Sequence, residues 1–160
     1  MNSVQHKQLL PTAPLWRRLV AMIYDSFLVL ALLILVGFLN LGIQITVYGE
    51  SQLRAMTDQG YTLDGPLLYT SQVLTIFCFF TFFWRKKGQT LGMQAWRIRI
   101  VNDDLQTLTY RQIVVRCLIA IPSTLLCLTG ILWMKVDPEQ KSWPDRLSKT
   151  RTVLLEAIDV

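Results

Sequence analysis

The chain has 160 residues, 52% of them hydrophobic and 17% charged, with a formal net charge of +5. Three bilayer spans of about 20 residues would take up about 60 of them, leaving room for one small membrane domain over residues 1–160 and none for a separate soluble catalytic domain. The basic residues flank apolar runs and come with no helix-turn-helix or zinc pattern, so the charge is read as membrane orientation, and nucleic acid is set aside as a partner.

The N-terminal tail carries Lys7, Arg17 and Arg18. From Leu19 to Leu39 follow 21 residues whose only charge is Asp25, a length that matches a hydrocarbon core of about 30 Å and predicts a transmembrane helix. The run is longer than a signal-peptide h-region and no small-residue cleavage pattern follows it, so it is expected to stay in the mature protein. Burying an ionised carboxylate in hydrocarbon is costly, so Asp25 needs a partner or a task. Arg18 lies seven residues earlier. That is about 10 Å of helical rise, on the same face but out of reach. Some other group must satisfy Asp25.

The next loop has Arg54 against Glu50, Asp58 and Asp64. A second uncharged run, 67–84, ends at Trp84, which with the following Arg85, Lys86 and Lys87 reads as an aromatic and basic interface anchor. Beyond it, Gly88 and Gly92 would allow close backbone approach. The segment with Leu91, Ala95 and Ile98 reads as amphipathic, these residues inward and Arg97 and Arg99 at head groups. Trp96 to Val101 alternates apolar and basic residues, Asn102-Asp103-Asp104 offers turn chemistry, and Thr107 to Tyr110 could return as a second strand. An isolated hairpin is marginal in water, so the β-prone stretch Thr150 to Leu155 is a candidate third strand.

The third apolar run, 112–134, contains Arg116, Pro122 and Gly130. It reads either as a kinked span or as a re-entrant hairpin. The basic tail and second loop belong in the cytoplasm. Three complete spans would put the C-terminus outside, yet Lys135, Lys141, Arg146, Lys149 and Arg151 argue for the cytoplasm, so the side of the tail stays open. The simplest way to tolerate Arg116 is an ion pair with Asp25, fixing how helices one and three pack, with Tyr24, Ser26 or Thr129 adding hydrogen bonds; the rival is a cation or proton site at Asp25. Arg18, at a helix end, either snorkels to phosphate head groups or has a functional role. Asp145, in Pro144-Asp145-Arg146 with Ser148 after it, fits a turn or helix cap, with a salt bridge to Arg97 or Arg99 as the alternative.

An enzyme reading finds little support. His6 is the lone histidine, Cys78, Cys117 and Cys127 lie in apolar runs without CxxC spacing, and no glycine-rich phosphate loop follows a strand. No catalytic residue, cofactor or metal is expected. The expected fold is an all-α polytopic membrane protein of about three transmembrane helices, with a small membrane-surface β element from the second loop and possibly the C-terminal tail.

The stretches LWRRLVAMIYDS, KKGQTLGMQAWRIRIVNDD and SWPDRLSKTRTVLL, in that order and spacing, resemble the RDD family of small bacterial integral membrane proteins. The resemblance carries the family's arginine and two aspartates to Arg18, Asp25 and Asp145. The chain departs from the pattern at Pro144, where relatives often have His, and at Lys149, where they often have Gly. The resemblance implies a multi-pass protein of the bacterial inner membrane with the lipid bilayer its constant partner, and the basic residues put its N-terminus in the cytoplasm. A scaffold or assembly factor contacting other membrane proteins through the aromatic second helix is the first functional expectation. An oligomeric monovalent cation/proton transporter using Asp25, and then a homo-oligomer, is the second.

Overall fold

The computed structural model describes residues 11–60, 65–126 and 128–155, the side chains of Thr124 and Leu125 apart. Helix α1 runs over Leu15–Tyr48, α2 over Glu50–Asp58, α3 over Pro66–Lys86 and α4 over Leu91–Ala95. Strand β1 (Ile98–Asn102) leads to α5 (Tyr110–Leu125), α6 (Thr129–Leu132), a 3-10 turn (Trp133–Lys135), α7 (Trp143–Leu147) and strand β2 (Thr150–Leu154).

Helices α1 and α3 contain the first two apolar runs, and both are long and apolar enough to cross a membrane. Only 11% of the most apolar 18-residue stretch of each is buried in the protein. A soluble core helix would hide such a stretch. These two turn Phe27, Phe38, Val73 and Phe82 outward instead.

The chain forms two compact units, residues 26–79 and residues 1–25 with 80–160. In the first, Asn40 Nδ2 donates to Ser71 Oγ at 3.1 Å and joins α1 to α3. Leu53 is the buried side chain of α2.

In the second unit β1 and β2 pair antiparallel, from Ile98 opposite Leu154 to Asn102 opposite Thr150. The N-terminal segment covers one edge. Ala13 N donates to Thr152 O at 3.0 Å, Leu154 N donates to Pro11 O at 2.9 Å, and Thr12 bridges Val153. On the other edge Ile100 N donates to Gly88 O at 2.8 Å. Gly88 is there because its φ is +67° and a Cβ would collide with the Ile100 carbonyl. Both edges of the small sheet are thus closed. Ile98 and Ile100 pack with Ala13, Ala21, Trp84, Met93, Leu108 and Ile113 into the core.

Several expectations are corrected. Thr107 to Tyr110 forms no return strand. Asn102 Oδ1 accepts from the backbone of Asp104 and Gln106 to shape a turn, and Thr109 with Gln112 makes the capping box that starts α5. Trp84 is buried rather than placed as an interface anchor. Its ring lies 4.9 Å from Phe80 and 5.5 Å below the Arg116 guanidinium. In α4 Gly92 and Met93 are buried in the protein, while Leu91 and Ala95 are exposed.

The third apolar run is not one helix. It contains Pro122, leaves helical geometry at Leu126, and takes Leu128 to a left-handed φ of 63°. Helix α6 then folds back on α5, with Gly130 so close to Ser123 that a Cβ would collide with the hydroxyl. Helix α7 packs on α5 as well, and β2 returns to the strand that preceded α5. The chain after the run therefore returns to the strand that precedes it. Cys127 and His6 lie outside the described residues.

Candidate functional site

Asp145 is at the centre of a buried polar cluster. In α7 it occupies the third helical position, where it and Ser142 form a reciprocal capping box: Asp145 N donates to Ser142 Oγ and Ser142 N to Asp145 Oδ2, each at 3.3 Å. The same carboxylate receives two guanidinium groups. Arg18 Nη1 lies 2.5 Å from Oδ2 and Arg116 Nη1 2.6 Å from Oδ1. Thr152 Oγ1 adds a fourth donor, 3.1 Å from Oδ1. Each oxygen thus accepts twice.

Both arginines are held elsewhere too. Arg18 Nε donates to Ala13 O at 3.0 Å and Nη2 to Thr152 O at 3.2 Å. Arg116 Nη1 donates to Thr150 Oγ1 at 2.7 Å and Nη2 to Thr152 Oγ1 at 3.4 Å. Thr150 and Thr152 stand two apart on β2 and so share a face. Asp145 itself is 0% exposed, and Arg18 and Arg116 are 6% and 8%. Burial alone would raise the Asp145 pKa. The charges of Arg116 and Arg18, with their hydrogen bonds, outweigh that and hold the carboxyl well below the usual carboxylate range.

Asp25 is satisfied separately. The Thr90 hydroxyl donates to Oδ2, and Gly92 N donates to Oδ1 at 2.9 Å. Thr90 also accepts from Met93 N at 3.3 Å as the N-cap of α4, so one threonine starts the helix and anchors it to α1. Gly92 is required by space. A Cβ there would run into the Ala21 carbonyl and stand 3.0 Å from the Asp25 carboxylate. Arg18, Ala21 and Asp25 lie on one face of α1, all buried.

This arrangement departs from the expected one. Arg116 pairs with Asp145 and not with Asp25, because the fold-back of α5 and α6 carries α7 against the middle of α5. Arg18 turns inward and does not snorkel. Asp145 is both a helix cap and an ion-pair partner, and its cations are Arg18 and Arg116 in place of Arg97 or Arg99. Tyr24 is half-exposed, its ring 6.4 Å from that of Trp96.

Sequence reasoning missed Ser142, Thr90, Thr150 and Thr152. The first had a readable signal: S-x-x-D before a short helix is a capping-box pattern. Thr150 and Thr152 alternate in a β-prone stretch, a weaker sign. Thr90 had none that singled out Asp25, 65 positions away.

Chemically, the Asp145 cluster joins two cations to one anion with every carboxylate lone pair engaged, which suits holding elements together rather than moving a proton or binding a ligand. Among the described residues no group of His, Cys, Asp or Glu is placed to hold a metal ion. No curated protein and no solved structure matches the chain. A sequence model of the RDD family matches residues 12–149, a stretch that includes Arg18, Asp25, Arg116 and Asp145. The chain belongs to the RDD family.

Proposed function

We propose that this RDD-family chain is a multi-pass protein of a bacterial inner membrane, its N-terminus cytoplasmic, that acts as a scaffold or assembly factor for other membrane proteins. The observation that carries this reading is the closure of the charged cluster. Arg18, Arg116 and Asp145 are engaged by one another and by Thr150, Thr152 and the backbone, so the signature charges support the fold. Exposed apolar surface is what the scaffold reading would use. Val73, Leu74 and Phe82 of α3 are exposed apolar side chains that need lipid or protein against them. The basic tail and second loop favour the cytoplasmic N-terminus.

One observation supports transport as the second reading. Among the described residues the partners of Asp25 are a hydroxyl and a backbone N–H, both neutral, and no cation is bonded to its carboxylate. Such a group could exchange a proton for a monovalent cation in an oligomer.

Two experiments separate the readings. A photo-crosslinking side chain at Val73 or Phe82, irradiated in native membranes, is expected to give a discrete protein adduct; lipid adducts alone would count against the scaffold. Sodium-dependent proton flux in proteoliposomes that Asp25→Asn abolishes, with the size profile of the folded protein unchanged, would replace the scaffold with the transporter.

A further inference from the structure

The fold-back at Leu128 leaves an apolar hairpin with an exposed outer side. Helix α5 has 16 residues, about 24 Å at 1.5 Å per residue, which is short of a hydrocarbon core of about 30 Å. Its two faces differ. Ile113, Arg116 and Ser123 are buried, while Val114, Leu118 and Ile121, at helical spacing, are exposed, Leu118 at 63%. The exposed apolar side continues through Leu126 at the turn and Leu132, Trp133 and Val136 on the returning arm.

The base of the hairpin is basic. Arg111 and Lys149 are exposed there, brought together because Gln112 Nε2 donates to Lys149 O at 3.2 Å. Arg85 joins them, its guanidinium 5.2 Å from the Tyr110 ring and bonded to Leu108 O at 3.1 Å. These cations outnumber Asp103 and Asp104 on the adjoining turn. An apolar wedge too short to cross, with cations at its base and none between Cys117 and Met134, matches one leaflet of a membrane with anionic head groups.

We propose that the α5–α6 hairpin is re-entrant: it inserts its apolar face into a single leaflet and returns, while Arg85, Arg111 and Lys149 take the phosphates of anionic phospholipids. This rests on the membrane reading above and adds to it a lipid-binding surface separate from the two long helices. It also accounts for the basic C-terminal tail, because segments before and after the hairpin then lie on one side of the bilayer.

The test uses full-length protein in vesicles of mixed phosphatidylglycerol and phosphatidylcholine, with the native cysteines replaced by alanine. A bimane probe on Leu126→Cys, or on Leu118→Cys if the first does not fold, is expected to be quenched by acyl-chain nitroxide lipids. Asp103→Cys and Glu139→Cys are expected to react with an impermeant maleimide from the same side. Reaction from opposite sides, or probes at both hairpin positions that lipid nitroxides do not quench, overturns the re-entrant assignment. A probe on Leu30→Cys in α1 reports the membrane reading itself: quenching at Leu30 without quenching in the hairpin sinks only the wedge, and failure at both sinks the two together. For the head groups, a probe on Val114→Cys should be quenched more by nitroxide-labelled phosphatidylglycerol than by phosphatidylcholine, with loss of the excess in Arg111→Gln/Lys149→Gln. Equal quenching by the two lipids overturns the anionic preference.

Discussion

The unit of residues 1–25 and 80–160 and the unit of residues 26–79 are stabilised by different means. The first has a small sheet with closed edges, an apolar core beneath it, and buried charges whose hydrogen bonds run to four elements. In the second, among the described residues, only Asn40, Leu53 and Phe79 are buried, while Phe27, Phe38 and Val73 face outward. One unit carries its own interior. Among the described residues the other has none of comparable size and turns its apolar side chains outward. A chain rich in apolar residues has thus gathered its difficult charges into the region where backbone carbonyls and threonine hydroxyls can meet them, and left the long helices nearly uncharged.

The sharpest way to break the first unit alone is Asp145→Asn. It leaves two guanidinium groups buried without their counter-charge, a loss of about 3–5 kcal/mol. Thermal unfolding in detergent should show a large fall in midpoint and a parallel fall in yield from membranes. Stability within about 0.5 kcal/mol of wild type, the level of an ordinary surface substitution, would mean the cluster holds nothing together.

The same carboxylate predicts a pH dependence. Its folded pKa is depressed, while the unfolded chain regains about 3.9. The stability it contributes is therefore complete above about pH 4 and is lost as the pH falls below that value toward the folded pKa. The midpoint of wild type should decline on acidification through this window more steeply than that of Asp145→Asn. Equal slopes would remove Asp145 as the cause.

One substitution made in both units should have opposite signs. Gly92→Ala places a methyl against the Ala21 carbonyl and the Asp25 carboxylate, with an expected loss of about 1–3 kcal/mol. Gly37→Ala, in the middle of α1, meets nothing within 4 Å and should gain up to about 1 kcal/mol from helix propensity. Paired unfolding curves test this directly. Losses of equal size would show that α1 is packed where it stands open here.

What could be read in the sequence was what is local. The two long apolar runs became α1 and α3, Asp25 and Arg116 stand out as charges within apolar runs, and Arg18 and Asp145 come from the resemblance to the RDD family. Their partners were not legible. The Arg116 to Asp145 pair exists only because the chain reverses after α5, and that reversal depends on a leucine in left-handed conformation and on Gly130 fitting against Ser123. Leucine gives no local signal for a positive φ. The expected hairpin at Thr107 to Tyr110 failed for a different reason: T-x-x-Q at Thr109 and Gln112 is a helix start, and capping took those residues before strand pairing could.

The smallest predicted effect concerns Lys149, where the chain departs from the family's frequent glycine. Lys149 follows the end of α7 with φ 53°, and its N–H donates to Arg146 O at 3.3 Å, an arrangement that favours glycine at a helix C-terminus. Relief of the left-handed strain by Lys149→Gly is worth about 1 kcal/mol or slightly more, and the greater freedom of glycine in the unfolded chain returns about half or more of that. A net gain under about 1 kcal/mol is expected in detergent, with the Gln112 bond to the Lys149 carbonyl retained because it involves only backbone at that position. In anionic vesicles the gain should shrink, since the lysine's charge then has phosphate to meet. A gain of the same size in anionic and zwitterionic vesicles would assign Lys149 no part in lipid contact and leave the strained backbone as the sole consequence of the departure.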